Sequence, residues 1–429
     1  MGYKKRLIDE KLANRENLSI GIVITGVRGC GKTETSKQFI KSEFIVDDKE
    51  ETKLALEINP NVVLEGEKPR LIDEWQLEKW IWNKVRHAVD NKEGCFILTG
   101  SATPVEDDTM HTGANRFIFL HMRPMSWYER EWSTGEITLE NILKDKVTTT
   151  KKVTLSLEEK LKRLKTGGWP AFIDLNDNDI EDLLAGNIKT ICKKDLRKVD
   201  GKSRNEELAR ALLMSLSRNI GTNVADTTII EDIKLFDNSM SKPTFDSYYN
   251  ALKNIHVIEE LPAWSTHIRS ASTLRKGAKR YFVDPSLAVA SLELSIDKMK
   301  NDLKYVGFLF ENEVIKNLRI YAESVKARLY YFGNLYSTHE NGKSIRKDED
   351  IDLIMEFSDG NWAAFEIKFA FHEDSIKKAA EQLNSLIDRI DFNKVKKPLS
   401  LNIITCDGFA YKRKEDGINV IPLCSLKGK

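Results

Sequence analysis

Cysteine is scarce in this chain and badly spaced for any structural use. Of 429 residues only five are cysteine, Cys30, Cys95, Cys192, Cys406 and Cys424. The number is odd, the spacings are wide and no pair has the C-x-x-C form, which argues against a disulfide framework and against a zinc site. A reducing cytoplasm is the expected location. Long apolar runs are also missing, none approaching the roughly 20 residues that a membrane helix needs. The segment 1–17 is charged throughout, unlike an export signal, so the protein is expected to be neither exported nor membrane-spanning. A third absence is charge of one sign. Lys plus Arg number 67 and Asp plus Glu 66, a formal net charge of +1, so a nucleic-acid site would have to be a local basic surface. What is present, 41% apolar and 31% charged residues, is the composition of a globular chain long enough for two to four domains.

The most informative segment is Gly26-Val27-Arg28-Gly29-Cys30-Gly31-Lys32-Thr33, a complete G-x-x-x-x-G-K-T loop behind the apolar run Ile20-Gly21-Ile22-Val23-Ile24-Thr25. Glycines at 26, 29 and 31 let consecutive backbone N–H groups turn inward toward phosphates. Lys32 reaches the outer phosphates and Thr33 offers a hydroxyl to magnesium at a helix start. The helix is expected over Thr33–Ser42. The loop implies ATP with Mg2+.

Some forty residues on, Arg70-Leu71-Ile72-Asp73-Glu74 reads as a short strand ending in two carboxylates. Asp73 is suited to hold magnesium through water, and Glu74 to orient and polarise the attacking water. An amphipathic helix from about Gln76 to Val89 then leads to the strand Cys95-Phe96-Ile97-Leu98-Thr99-Gly100-Ser101. Ligands of open parallel sheets collect at the carboxyl ends of strands. Thr99 or Ser101 therefore either senses the terminal phosphate or caps the following turn.

These residues resemble prokaryotic ATPases of the extended AAA type, in which Leu-Ile-Asp-Glu-Trp-Gln and Phe-Ile-Leu-Thr-Gly-Ser neighbour the nucleotide site. His111-Thr112-Gly113-Ala114-Asn115-Arg116-Phe117 and Arg123-Pro124-Met125-Ser126-Trp127-Tyr128-Glu129 also look like that family's segments. The resemblance implies that Arg116 is an arginine finger or sensor, acting on a transferring phosphoryl group, often from a neighbouring subunit. A surface arginine with no such role fits the residues as well.

Lys144–Thr154 is polar and aperiodic, the mark of a boundary or a flexible insertion, and Gly167-Gly168-Trp169-Pro170 is a strong turn signal. Helices are expected to resume near Asp179. Three short helices are expected between Asn205 and Leu261: one carrying Leu208, Ala211, Leu212 and Leu216, one at Thr227–Leu235 and one at Lys242–Ile255. Strand-like Val257–Leu261 and Lys279–Asp284, with Arg269, Arg275 and Lys276 between them, suggest a hairpin wing. A winged helix of this kind either reads DNA or serves as a spacer.

In the last third, a helix beginning near Tyr305 sets Glu311 within a stripe of Phe308, Ile315 and Leu318. Two strands follow, Ile351–Met355 with Asp352 and Trp362–Phe369 with Glu366 and Lys368 on one face. The ordered set Glu311, Asp352, Glu366-x-Lys368, then a helix with Gln382, resembles the PD-(D/E)xK nuclease family. Ile351 stands where many members have proline, and Asp350 is the main rival for the role of Asp352. The resemblance implies metal-assisted phosphodiester hydrolysis. In it Asp352 and Glu366 bind magnesium, Glu311 supports the metal shell and Lys368 stabilises charge or positions water.

The expected fold class is α/β, with a P-loop parallel sheet, a helical winged-helix-like region and an α/β nuclease-like domain. The expected divisions are 1–140 ATPase, 141–202 linker and helical segment, 203–295 winged helix and 303–429 nuclease-like domain. Taken whole, the chain resembles an extended AAA-type ATPase fused to a C-terminal domain of uncharacterised function. Two functions follow. One is an ATP-dependent DNA-processing enzyme. The other is a nucleotide-gated switch or signalling ATPase whose C-terminal domain binds a partner without cutting. DNA is the expected partner, alongside ATP, and an arginine finger would imply a homo-oligomer.

Overall fold

In the computed structural model, which describes residues 2–429 except 16, 48, 102–112, 200, 266–276 and 341–342 (and backbone alone at 198, 334–340 and 343–349), the apolar run at 20–25 becomes the centre of a parallel sheet. Its five strands are β1 (Ile20–Thr25), β2 (Ser42–Ile45), β3 (Arg70–Asp73), β4 (Cys95–Gly100) and β5 (Phe117–His121), in the order β2-β3-β4-β1-β5. β3 and β4 are buried throughout. That is why the centre of each, Leu71-Ile72 and Phe96-Ile97-Leu98, is apolar without alternation, as in strands covered on both faces. The order inserts β4 between the strand of the phosphate loop and the strand of the acidic pair. All strands are parallel, so their functional ends lie on one edge.

Two local expectations need correction. The helix after the loop spans only Lys32–Lys37, and Ser42 begins β2. The amide of Lys41 bonds Pro69 O at 2.9 Å and β2 pairs with β3, so edge pairing takes over where the helix was expected to continue. The helix before β4 runs Trp80–Asp90, after a short 3-10 turn Trp75–Leu77.

The chain then makes the two-residue strand β6 (Ile137–Thr138). Lys144–Thr154 lies against the C-terminal domain, with Val153 and Gly408 exchanging backbone bonds of 2.7 and 2.8 Å. Helices resume before the expected Asp179, with helix Leu157–Thr166, which starts with a capping box made by Ser156 and Glu159. Helix Asp177–Thr190 continues into a π-helical turn, Ile191–Asp195. Helices Glu206–Arg218, Asp226–Lys234 and Lys242–Asn254 precede an antiparallel hairpin of β7 (Ile258–Leu261) and β8 (Lys279–Phe282). The basic residues Arg269, Arg275 and Lys276 lie outside the described residues.

The C-terminal domain opens with the long helix Leu303–Val325. Its sheet comprises β9 (Arg328–Glu340), β10 (Lys343–Glu356), β11 (Trp362–Lys368), β12 (Leu401–Thr405), β13 (Tyr411–Lys412) and β14 (Asn419–Pro422). The order is β13-β14-β12-β11-β10-β9. Alternation along β11 sends Phe365 and Ile367 into the core shared with the long helix, and Trp362 and Ala364 into a second core under helix Glu373–Arg389. The last strand, β15 (Leu426–Lys427), returns to pair in parallel with β6. One apolar cluster therefore runs from Ile8 to Leu426.

Candidate functional site

The phosphate loop needs its glycines for backbone shape. Gly26, Gly29 and Gly31 have φ of 152°, 80° and 102°, in a region that L side chains rarely adopt. Lys32 Nζ donates to Gly26 O at 2.9 Å and Val27 O at 3.1 Å, so the ammonium is held over the loop. Thr33 Oγ1 donates to Asp73 Oδ2 at 2.9 Å, and Thr99 Oγ1 donates to Asp73 Oδ1. Residues of β3, β4 and the loop helix thus converge on one carboxylate. A hydroxyl and a carboxylate in this contact are the oxygen donors a magnesium ion requires, so Thr33 and Asp73 fit the group.

Glu74 follows in left-handed conformation, φ 55°, unusual for a glutamate and of the kind stored at functional sites. Its carboxylate accepts from Gln76 Nε2. Glu74, Gln76 and Ser101 line a cavity of about 270 Å³ with Val27 and Arg28 of the loop. Its other wall, Asn187, Asp195, Ile255 and Val257, belongs to the middle segment. Arg116 is not brought to this edge. Its backbone carbonyl accepts from Gly21 N, at the opposite end of β1, and its side chain pairs with Asp90 at 2.7 Å. Parallel pairing of β1 with β5 makes this unavoidable, and His111 and Thr112 lie outside the described residues.

Sequence reasoning missed a polar cluster beside the loop. His121 Nδ1 lies 3.3 Å from Thr25 Oγ1, and His121 Nε2 lies 3.3 Å from Glu259 Oε1 of β7. Arg123 joins Glu259 at 2.9 Å and Glu323 of the long helix at 2.9 Å, and Arg319 also binds Glu259. Burial alone would raise the Glu259 carboxyl, but Arg123 and Arg319 hold it well below the usual range. The His256 ring sits 4.7 Å from that of His121. Only the Arg123–Glu129 segment carried a sequence signal here. Beneath the loop, Arg6 donates to Cys30 O at 2.9 Å and pairs with Glu129 at 3.1 Å.

The second cluster lies where the long helix meets β10 and β11. The register between β10 and β9 shifts between Ile351 and Ile354, and such an irregularity re-aims side chains. Asp352 Oδ2 there accepts from Ile367 N at 2.8 Å. Glu366 is 1% exposed, and its Oε2 accepts from Lys368 Nζ at 2.9 Å. Gln382 Oε1 accepts from the same ammonium at 3.1 Å, while Glu366 Oε1 has no hydrogen-bond partner among the described residues. Glu311 Oε1 accepts from Tyr281 OH at 2.6 Å. Burial, with Asp352 adding repulsion, pushes the Glu366 carboxyl up to about 8. Burial raises Glu311 to about 7, against the pull of Lys279.

Glu311, Asp352, Glu366, Lys368 and Gln382 are thus brought together, and Asp350 stands nearby, 3.7 Å from Lys279. Lys279 and Tyr281 of β8 are the participants that the sequence did not reveal. The bare Glu366 oxygen suits a cation, yet no three His, Cys, Asp or Glu side chains among the described residues are grouped so as to hold a metal.

Residues 20–131 match the family model of the AAA domain, and residues 158–298 match that of a domain of unknown function, DUF8612. The second match runs across both the helical segment and the winged-helix-like region expected as separate units. No curated protein matches the sequence. Solved structures with some likeness include a Walker-type ATPase of Pyrococcus abyssi, with 11% identity and TM-score 0.39, covering 67% of this chain and 96% of that one. Another is a signal transduction ATPase with numerous domains and a tetratricopeptide repeat sensor, from Pyrococcus horikoshii, with 18% identity, TM-score 0.25 and coverage of 76% and 48%. A third is the replication initiator DnaA bound to AMPPCP and single-stranded DNA, with 16% identity, TM-score 0.23 and coverage of 59% and 89%. With the loop and acidic strand in place, the N-terminal region is a P-loop ATPase domain. No helix among the described residues is long and apolar enough to cross a membrane.

Proposed function

We propose that the protein hydrolyses ATP at the N-terminal site and thereby controls metal-dependent cleavage of a nucleic-acid phosphodiester, in DNA, at the C-terminal carboxylate–lysine site. In this reading Lys32 and the loop amides hold the phosphates, Thr33 and Asp73 hold magnesium, and Glu74 orients the attacking water. Thr99, bonded to Asp73 from β4, reports on the same carboxylate.

The observation that carries the second half is the convergence of Glu311, Asp352, Glu366 and Lys368 from three separate elements, with one Glu366 oxygen bare in a buried place. A divalent ion bound there would polarise the phosphoryl group and activate water. Asp352 and Glu366 would hold it, Glu311 would support its shell, and Lys368, steadied by Gln382, would meet the charge developing on phosphate oxygens. The helices Glu206–Arg218, Asp226–Lys234 and Lys242–Asn254 with the β7–β8 hairpin suit a winged helix that positions the DNA. Arg116, half-buried at the far end of the sheet and paired with Asp90, would act only on a neighbouring copy, which makes a homo-oligomer part of the proposal.

The second reading, a nucleotide-gated switch that binds without cutting, is favoured by the lack of a three-ligand metal group among the described residues. A cleavage time course on supercoiled, linear and branched DNA, with Mg2+ or Mn2+ and with or without ATP, decides between them. Glu366→Ala is expected to abolish cutting and leave ATP hydrolysis intact. Glu74→Gln is expected to keep nucleotide binding while hydrolysis falls about 10²–10⁴-fold. DNA binding without cutting under either metal would select the switch.

A further inference from the structure

We infer that Lys279 is the resident cation of the C-terminal carboxylate site, supplied by the middle segment, and that a divalent metal enters only when the β7–β8 hairpin withdraws it. This rests on the metal-dependent reading above. Lys279 is 6% exposed, and its ammonium lies 3.6 Å from Glu311 Oε1 and 3.7 Å from Asp350 Oδ2. Alternation along β8 puts Tyr281 on the same face, where its hydroxyl engages the same Glu311 oxygen. A lysine buried this deeply is tolerated only beside opposite charge, and that charge comes from the domain it docks against. A divalent ion and an ammonium among the same carboxylates repel each other. Lys279 and Tyr281 both engage Glu311 Oε1, and among the described residues Glu311, Asp352 and Glu366 do not form a three-ligand metal group.

The hairpin also gives the withdrawal a cause. In its register Glu259 stands opposite Tyr281 and Leu261 opposite Lys279. Glu259 is the carboxylate held by Arg123 and His121, and His121 in turn touches Thr25, the residue before the phosphate loop. One hydrogen-bonded ribbon thus carries Glu259, bound by Arg123 beside the ATPase sheet and by Arg319 of the long helix, on its first strand and Lys279 of the acidic site on its second. A nucleotide-dependent change at the loop that shifts Glu259 is carried by the paired strands to Lys279, the kind of linkage by which sites are coupled.

Mn2+ binding to the nucleotide-free full chain tests this, read from the electron paramagnetic resonance of free Mn2+, in wild type, Lys279→Met, Lys279→Arg and Glu366→Gln. Lys279→Met is expected to bind about tenfold tighter than wild type, Lys279→Arg to stay near wild type, and Glu366→Gln to lose the site. Equal or weaker binding by Lys279→Met overturns the inference and leaves the metal reading standing. Absence of any Glu366-dependent binding in all of the proteins removes the metal reading and the inference with it. A second measurement needs no variant. Saturating Mn2+ is expected to speed hydrogen exchange at the amides of residues 279–282 in wild type, and unchanged protection with the ion bound would overturn the inference.

Discussion

His256 has left-handed backbone, φ 59°, where the chain leaves helix Lys242–Asn254 for β7. Its neighbours Ile255 and Val257 line the cavity at the phosphate loop. Burial first, then His121, Lys32 and Arg123, push its imidazole down to about 3, against the opposing pull of Glu259. The folded protein keeps the ring neutral, whereas the unfolded chain takes up a proton near pH 6.5. The stability it contributes is therefore complete above about pH 6.5 and is lost as pH falls from there toward about 3. Between about pH 7 and pH 5, wild type is expected to lose roughly 1–2 kcal/mol more than His256→Asn, asparagine being a residue that accepts this backbone. Urea unfolding at both pH values measures it, and parallel losses would contradict it.

Among the elements, the Gly167-Gly168-Trp169-Pro170 turn links the phosphate loop to the middle segment. Gly168 N donates to Asp284 Oδ2 at 2.9 Å and Trp169 Nε1 to Ser286 Oγ at 2.8 Å, at the start of helix Pro285–Ser291. Asp284 also receives the buried Lys316 of the long helix at 2.8 Å. On the other side, the Trp169 and Pro170 rings back Gly29 and Gly31 of the phosphate loop. A methyl group at 168 would fall 2.1 Å from Met125 O, a backbone atom with little room to give. Gly168→Ala is expected to cost about 1–3 kcal/mol, as overpacking does, and to weaken ATP binding as well. Gly186→Ala, with nothing within 4 Å, serves as the comparison, and equal denaturation midpoints for the two variants would refute the argument.

At the scale of the whole molecule, the three regions share one interior. The cluster from Ile8 to Leu426 includes residues of the ATPase sheet, the middle helices and β11. β15 closes on β6, with Thr134 N bonding Cys424 O and Leu139 N bonding Gly428 O. Lys316, 1% exposed, balances Asp284 of the middle segment and Glu313 of its own helix. Calorimetric unfolding is therefore expected to show one dominant transition, and a chain cut after residue 302 is expected not to fold, because Arg123, Glu259 and Asp284 would all lose partners on the long helix. Well-separated transitions would show the shared core to be energetically minor.

The chain order alone was enough to place the phosphate loop, Asp73, Glu74 and the Glu366-x-Lys368 pair, since each depends on neighbours a few residues apart and on the period of one strand or turn. The irregularity beside Asp352 was not legible, because a register shift is a relation between two strands. Arg116 carried a family signal, but strand pairing set it at the wrong end of the sheet for its own loop. The His121–His256–Glu259 cluster and Lys279 were silent for a physical reason. Their partners lie far along the chain, so a histidine at a helix end and a lysine at a strand start look like ordinary surface groups until packing buries them against charges from another region. Sequence determined that the N-terminal region is built to hold a nucleotide and which residues make up the acidic motif. Tertiary structure alone decided that one hairpin reaches both sites, because long-range burial, not local pattern, sets which charges must meet.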